Sequence, residues 1–221
     1  MTTGDPPGDR LTHPPSWGLD DPPAEPLGLL GEWMERAEAA GVLFPTSVTL
    51  STASPRGVVS ARTVLLKGWD EHRLVFESED YSRKGVELNA NPHAAITLFW
   101  REVHRQICVT GEARPLPRAT SDEMWARRAR ANQAASIATR EGEPIASLTE
   151  EQELFAVADA VAAAPGPIAR PESYQAYGLV PSTVEFWEGS QTRLHRRVFY
   201  ERAGGLGAGS AAGWTWRRIQ P

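Results

Sequence analysis

One cysteine in 221 residues leaves no partner for an intrachain disulfide and rules out a cysteine-rich metal cage. No run of residues approaches the roughly 18 consecutive apolar positions that a membrane-spanning helix needs. The opening MTTGDPPGDRLTHPP has neither a basic start nor an apolar stretch, so no export signal is expected and the protein is placed in the cytoplasm, away from membranes. An excess of positive charge is also missing. The net charge of -5 weighs against a general nucleic-acid binder, so any anion site must come from local clusters of Arg and Lys. Internal repeats are absent as well, which excludes a solenoid. The single thiol, Cys108, lies in the strand-like run QICVTGE and reads as a buried, inert group.

What is present is enough for a folded core: 41% hydrophobic residues with 23% charged. Residues 1–23 are rich in Pro, Gly and Asp and read as an arm, disordered or draped over the surface. No domain boundary is visible after it, so residues 24–221 are taken as one domain. Leu30, Trp33, Met34 and Ala37 follow helical spacing from Pro26, with Gly41 as a stop. Strand-like runs follow: SVTLSTA, VVSARTVLLKG, LVF, AAITLFW and RQICVTGEARPL, separated by turn-rich links and one brief helix, SRKGVELNANP. Capping-box patterns at Thr120–Glu123 and Thr149–Gln152 predict helices near 121–137 and 150–163. Strands resume at YQAYGLVP, TVEFWEG, RLHRRVFYER and WTWRRIQP, with AGGLGAGSAAG as a flexible hairpin loop. Sequential strands with hairpin-length links predict an antiparallel barrel.

Three groups of residues could carry chemistry. Ser82-Arg83-Lys84 opens the brief helix, and cations in a first helical turn oppose the positive end of the helix dipole unless an anion sits there. A phosphate would satisfy them; a solvated basic patch is the plain alternative. Arg62 and Lys67 lie in an otherwise apolar run and, at period two, point to opposite faces; both could equally be edge charges. Near the end of the chain Arg193, His195 and Arg197 alternate along one predicted strand face beside Trp187, either around an anion or in solvent.

RTVLLKG, YSRKGVELNANPHAAITLFW, RQICVTGEARPL, EFWEGSQTRLHRRVFYER and the terminal WTWRRIQP, in this order and at these distances, resemble the pyridoxamine 5'-phosphate oxidase family over roughly residues 26–221. The resemblance implies a mainly β fold with peripheral helices, an antiparallel split β-barrel that binds flavin mononucleotide (FMN) as a homodimer. It implies that Arg62, Thr63, Val64, Leu65, Lys67, Ser78, Ser82, Arg83, Lys84 and Gln106 hold FMN, with Trp187 and Arg197 coming from the partner chain. His195 and Arg193 would position the substrate as the catalytic pair, with no metal.

The departures from the family pattern matter as much. Its substrate-phosphate pocket uses Lys, Tyr, Arg and Ser. Here Lys67 and Arg128 remain, but Met124 replaces the Tyr and Asn132 the Ser. A Gln-Ser pair that touches FMN from the second chain becomes Glu141-Gly142, and Arg196 replaces an Asp. Losing a phenol and a hydroxyl that donate to a phosphate costs roughly 1 to 3 kcal/mol each in a buried site. The segments DDPPAEPLGLLGEWMERA and IATREGEPIASL look more like the family's phenazine-biosynthesis branch. The expected activity is an FMN-dependent oxidase that moves a hydride from a dihydro- or tetrahydro-phenazine carboxylate to flavin, with molecular oxygen as acceptor and hydrogen peroxide as product. A pyridoxine/pyridoxamine 5'-phosphate oxidase is the alternative, and a non-catalytic flavin-binding split barrel is the alternative of another class.

Overall fold

α1 (Pro26–Ala39) begins with a proline at a first-turn position, where no backbone N–H is needed, and buries Leu27, Leu30, Trp33, Met34 and Ala37 along one side. The computed structural model describes residues 15–191, 194–204 and 213–221. After α1 come β1 (Ser47–Ala53), β2 (Val59–Leu65), the short β3 (Gly68–Trp69), β4 (Leu74–Glu79), α2 (Arg83–Ala90), β5 (His93–Trp100) and β6 (Arg105–Pro115). Three helices, α3 (Arg118–Arg127), α4 (Arg130–Ala138) and α5 (Leu148–Ala163), separate these from β7 (Tyr174–Glu188), β8 (Arg196–Arg202) and β9 (Trp214–Arg218). The pairings are antiparallel and run β2-β1-β5-β6-β7-β4-β3, with β8 on β7 and β9 on β8.

β7 organises this sheet. One edge pairs with β6 over Tyr177–Glu188; the other pairs with β4 over Tyr174–Leu179 and with β8 over Thr183–Glu188. A strand shared in this way must bend, and β7 does so by a bulge at Ser182, opposite the step from Thr110 to Gly111 in β6. Gly111 is required there, since a Cβ would lie 2.0 Å from the Val180 carbonyl oxygen. Pro181 sits opposite it, where the irregular ladder tolerates a residue without an N–H. YQAYGLVP and TVEFWEG, predicted as two strands, are therefore one. The end of β2 closes toward β4, with the Lys67 N–H donating to the Val75 oxygen at 2.8 Å. The result is the expected mainly β, antiparallel split barrel with peripheral helices.

The core is aromatic as well as aliphatic. Trp33 meets Phe186 edge-on at 5.0 Å between centroids, Phe186 meets Tyr200 at 5.8 Å, and Phe76 stacks on Tyr177 at 5.6 Å. The described part of the N-terminal arm is fastened to this core. Leu19 is buried, the Trp17 carbonyl accepts from Trp33 Nε1 at 2.7 Å, and the Pro23 carbonyl accepts from the Tyr200 hydroxyl at 3.0 Å. Arg105 lies over the Trp17 ring at 5.0 Å and pairs with buried Glu188 at 3.7 Å. Residues 1–14 of the arm lie outside the described residues.

Several local expectations need correction. The predicted helix 121–137 is two helices, because Arg128 and Ala129 are extended (φ -69, ψ 137 and φ -54, ψ 135). Its capping box at Thr120 is not formed; the helix starts earlier, after Pro117, with no side-chain cap. The next helix is capped by Ser147, whose oxygen accepts from the Glu150 N–H at 3.1 Å, and not by Thr149. Lys67 lies beyond the end of β2, so the alternation expected between it and Arg62 does not apply. β8 starts at Arg196, so His195 precedes the strand and no strand face carries His195 with Arg197. Arg193, and most of the glycine-rich loop, lie outside the described residues.

Candidate functional site

The basic start of α2 divides into two clusters. Ser82 caps the helix, accepting from the Gly85 N–H at 3.3 Å and donating to the Glu79 carbonyl at 2.7 Å, with Ser78 Oγ 2.9 Å away. Gly85 allows the turn to press on the end of β4, where a Cβ would lie 2.4 Å from the Glu79 carbonyl oxygen. Arg83 turns back along the helix, its Nε donating to Glu87 Oε1 at 3.0 Å. Arg62 reaches the same carboxylate from β2 at 3.5 Å, and also donates to Thr52 Oγ1 at 2.7 Å and the Leu50 carbonyl at 3.1 Å. Burial alone would push Glu87 up, but the hydroxyls of Ser60 and Thr52 and the Arg83 guanidinium outweigh it and hold the carboxyl at about 2. Burial lowers the Arg62 guanidinium, with Glu87 opposing.

Lys84 faces the other way. It is 6% exposed, and its ammonium meets Glu141, a half-exposed residue of the link after α4. A cavity of about 320 Å³ opens here, lined by Ser78, Lys84 and Glu141 together with Glu77, Glu79, Tyr81, Arg128, Ser136, Thr139 and Tyr174 among others. Glu141, expected to act from a second chain, thus contacts Lys84 of its own chain. Burial raises the Glu79 carboxyl, opposed by the Ser173 hydroxyl at 2.7 Å and by Arg128. Burial, then Glu79, raise the Tyr81 phenol.

A smaller cavity, about 140 Å³, adjoins the first and is lined by Lys67, Glu77, Met124, Arg127 and Arg128. Three of the four residues expected in a substrate pocket meet here. Asn132, the fourth, is exposed on α4 and lines neither cavity.

The remaining site residues occupy the outer face of the sheet. Register places Leu65 beside Ser47, Phe99 beside Gln106, Gln106 beside Trp187 and Trp187 beside Arg197, a row running across the strands. Thr63 and Leu65 point outward while Arg62 and Val64 point in, following the two-residue alternation of β2. Leu65 and Phe99 are exposed, at 48% and 54%. Arg197 donates to Glu185 at 2.8 Å, and His195 lies 4.8 Å from the Trp187 ring, its Nδ1 accepting from the Ser190 N–H at 3.0 Å. Cys108, on the same face opposite Glu185, has its thiol pushed up by burial, which suits an inert role.

Tyr174, in the wall of the larger cavity, and Trp187 are thirteen residues apart on β7, roughly 40 Å of extended strand. Trp187 and Arg197 of one chain therefore stand at the end of the row away from that chain's own cavities, whereas Leu65, two residues before Lys67, stands at the near end. The sequence reasoning missed Glu77, Glu79 and Tyr174. A signal existed for the first two, since carboxylates alternate with Ser78 in a strand that begins Leu-Val-Phe.

The donor set lining the cavity fits a phosphate group: the Ser78 hydroxyl and a buried ammonium whose only ion pair among the described residues is with a half-exposed carboxylate, at the start of a helix that Ser82 caps. Comparison with known proteins agrees with this. A family model described as pyridoxamine 5'-phosphate oxidase matches residues 34–160, and one described as the pyridoxine 5'-phosphate oxidase C-terminal dimerisation region matches residues 174–221. The chain is 37% identical over 200 residues to a dihydrophenazinedicarboxylate synthase of Pseudomonas chlororaphis, covering 90% of this chain and 86% of that protein. It is 38% identical over 197 residues to a pyridoxine/pyridoxamine 5'-phosphate oxidase of Rubrobacter xylanophilus, covering 89% and 87%. The crystal structure of PhzG from Burkholderia lata in complex with tetrahydrophenazine-1-carboxylic acid superimposes with a TM-score of 0.85 at 34% identity, covering 92% of this chain and 96% of that one. With its barrel, its phosphate-type donor set and both family models matched, the chain belongs to the pyridoxamine 5'-phosphate oxidase family and is an oxidoreductase.

Proposed function

We propose that the protein is an FMN-dependent oxidase, working as a homodimer, that dehydrogenates a dihydro- or tetrahydro-phenazine carboxylate. The observation that carries this reading is Met124 in the wall of the 140 Å³ cavity beside Lys67 and Arg128. A thioether there offers a flat ring an apolar surface and offers a phosphate no hydrogen-bond donor. The likeness to a synthase of dihydrophenazinedicarboxylate and to a structure holding tetrahydrophenazine-1-carboxylic acid supports the same substrate class.

Lys84, Ser78, Ser82 and the first turn of α2 would hold the FMN phosphate from one chain, with Arg62 and Arg83 fixing that turn through Glu87. Trp187 and Arg197 would come from the partner, which the separation along β7 and the matched dimerisation region both support. FMN, when bound, supplies the hydride acceptor and passes the electrons to molecular oxygen, which is released as hydrogen peroxide. The protein's own work is orientation. Met124 and Trp187 would present apolar surface to the substrate ring, and His195, with Arg193, would face its carboxylate. Lys67 and Arg128 in the same cavity favour the second reading, a pyridoxine/pyridoxamine 5'-phosphate oxidase, as does the Rubrobacter relative.

Turnover decides between them. The purified protein should be yellow with FMN and should oxidise a reduced phenazine carboxylate at least about tenfold more efficiently than pyridoxine 5'-phosphate, a difference of roughly 1.4 kcal/mol in transition-state binding. Efficient oxidation of the vitamin phosphate with none of the phenazine would establish the second reading instead. Shared sites have their own test. Lys84→Ala and Arg197→Ala dimers should each lose flavin, whereas mixed dimers should regain about one site apiece; mixed dimers that stay colourless would mean that the two residues do not serve one site.

A further inference from the structure

Glu77 stands in the common wall of the two cavities. Its Oε1 lies 2.9 Å from the Arg128 guanidinium and 3.4 Å from the Lys67 ammonium, and its Oε2 accepts a hydrogen bond from the Tyr174 hydroxyl. Without this carboxylate, the smaller cavity would be lined by Lys67, Arg127 and Arg128 beside Met124, with the Tyr174 phenol close behind. Three cations around a pocket of about 140 Å³ would recruit a multiply charged anion. With the carboxylate in place, two of the three are already paired.

The pair is also held firmly. Arg128 packs over the rings of Trp125 and Tyr174 at 5.9 and 5.5 Å, and the Glu77 and Arg128 side chains are 15% and 21% exposed, so solvent screens this pair only in part. An incoming phosphate dianion would have to separate Glu77 from both cations or lie against its negative charge. A ring without a phosphate meets no such barrier.

We propose that Glu77 is a specificity-determining residue, an internal counter-anion that occupies the position between Lys67 and Arg128 and turns the pocket against phosphate esters in favour of unphosphorylated ring substrates. This inference rests on the functional reading above in taking the Met124 cavity as the substrate pocket. Specificity here comes from a built-in repulsion as much as from attraction.

The test uses two unreactive probes, 4-deoxypyridoxine 5'-phosphate and 4-deoxypyridoxine, titrated into the FMN-loaded dimer and followed by the flavin absorbance. In the wild type the phosphorylated probe should gain less than about threefold over the other. In Glu77→Gln, which keeps the shape and removes the charge, that ratio should rise at least about tenfold, through tighter binding of the phosphate ester alone. Flavin content equal to wild type shows that the variant is folded; if Gln disturbs it, the ratio is read on Glu77→Ala. An unchanged ratio in a flavin-loaded variant, or a wild type that already favours the phosphorylated probe more than about tenfold, would overturn the proposal. Failure to oxidise a reduced phenazine carboxylate would count against the functional reading and leave this ratio untouched.

Discussion

Glu87 and Glu77 are among the carboxylates that each hold two cations, and comparing them shows how surroundings divide structure from function. Glu87 joins Arg62 and Arg83, and the hydroxyls of Thr52 and Ser60 donate to it as well. It lines neither described cavity, and every partner comes from the barrel or from its own helix. Glu77 joins Lys67 and Arg128 at the meeting point of two cavities, with one hydroxyl donor. The first cluster ties α2 to the edge of the barrel and keeps the first turn of the helix in position. The second faces space large enough for a ligand. Similar chemistry therefore serves packing where the carboxylate is closed in and selectivity where it is open to a ligand.

The largest expected effect follows from closing the comparison at Glu87. Glu87→Ala removes the carboxylate shared by the part-buried Arg62 and the largely exposed Arg83 and leaves the Thr52 and Ser60 hydroxyls without their acceptor, a loss of about 1 to 3 kcal/mol. Chemical unfolding at neutral pH should show that loss. The sign of its pH dependence is fixed by the direction of the shift: the folded carboxyl sits at about 2, below its ordinary 4.5. The stabilisation is therefore fully present above about 4.5 and fades as pH falls toward about 2. Wild type and variant should converge across that window. Curves that stay parallel down to pH 2 would show that Glu87 does not contribute as a charge.

Much of this contrast could not be read from the sequence. Periodicity found β1 to the residue and placed β5 and β6 closely, because one buried face imposes alternation such as Val48, Leu50 and Thr52. It missed the unity of β7, since Pro181 is an ordinary strand breaker and only the bulge at Ser182 beside it makes room for it. It missed the break at Arg128, where the chain is extended between two helical stretches with no glycine and no proline to mark it. At the site, Ser82, Arg83 and Lys84 were legible because cations at a helix start conflict with the dipole. That Arg83 would pair with Glu87 while Lys84 lined a cavity depends on how α2 is set against β1 and β4. Glu77 was invisible for the same reason: Lys67 and Arg128 are 10 and 51 positions away in the chain, and only tertiary packing brings all three together.

The smallest expected effect closes the comparison from the other side. Glu77→Gln removes a charge but keeps an oxygen that can accept from Tyr174 and from one of the two cations. Lys67 is about one third exposed at its side chain, so water can take over part of what the carboxylate gave it. Arg128 keeps its contacts with the Trp125 and Tyr174 rings. The stability cost should therefore stay below about 1 kcal/mol, the range of partly solvated ion pairs, against about 1 to 3 for Glu87→Ala, which also strands two hydroxyls. Unfolding both variants under one set of conditions measures the difference directly. A Glu77→Gln loss as large as that of Glu87→Ala would mean that Glu77 also holds the fold, and that its openness to the cavities does not separate the two roles.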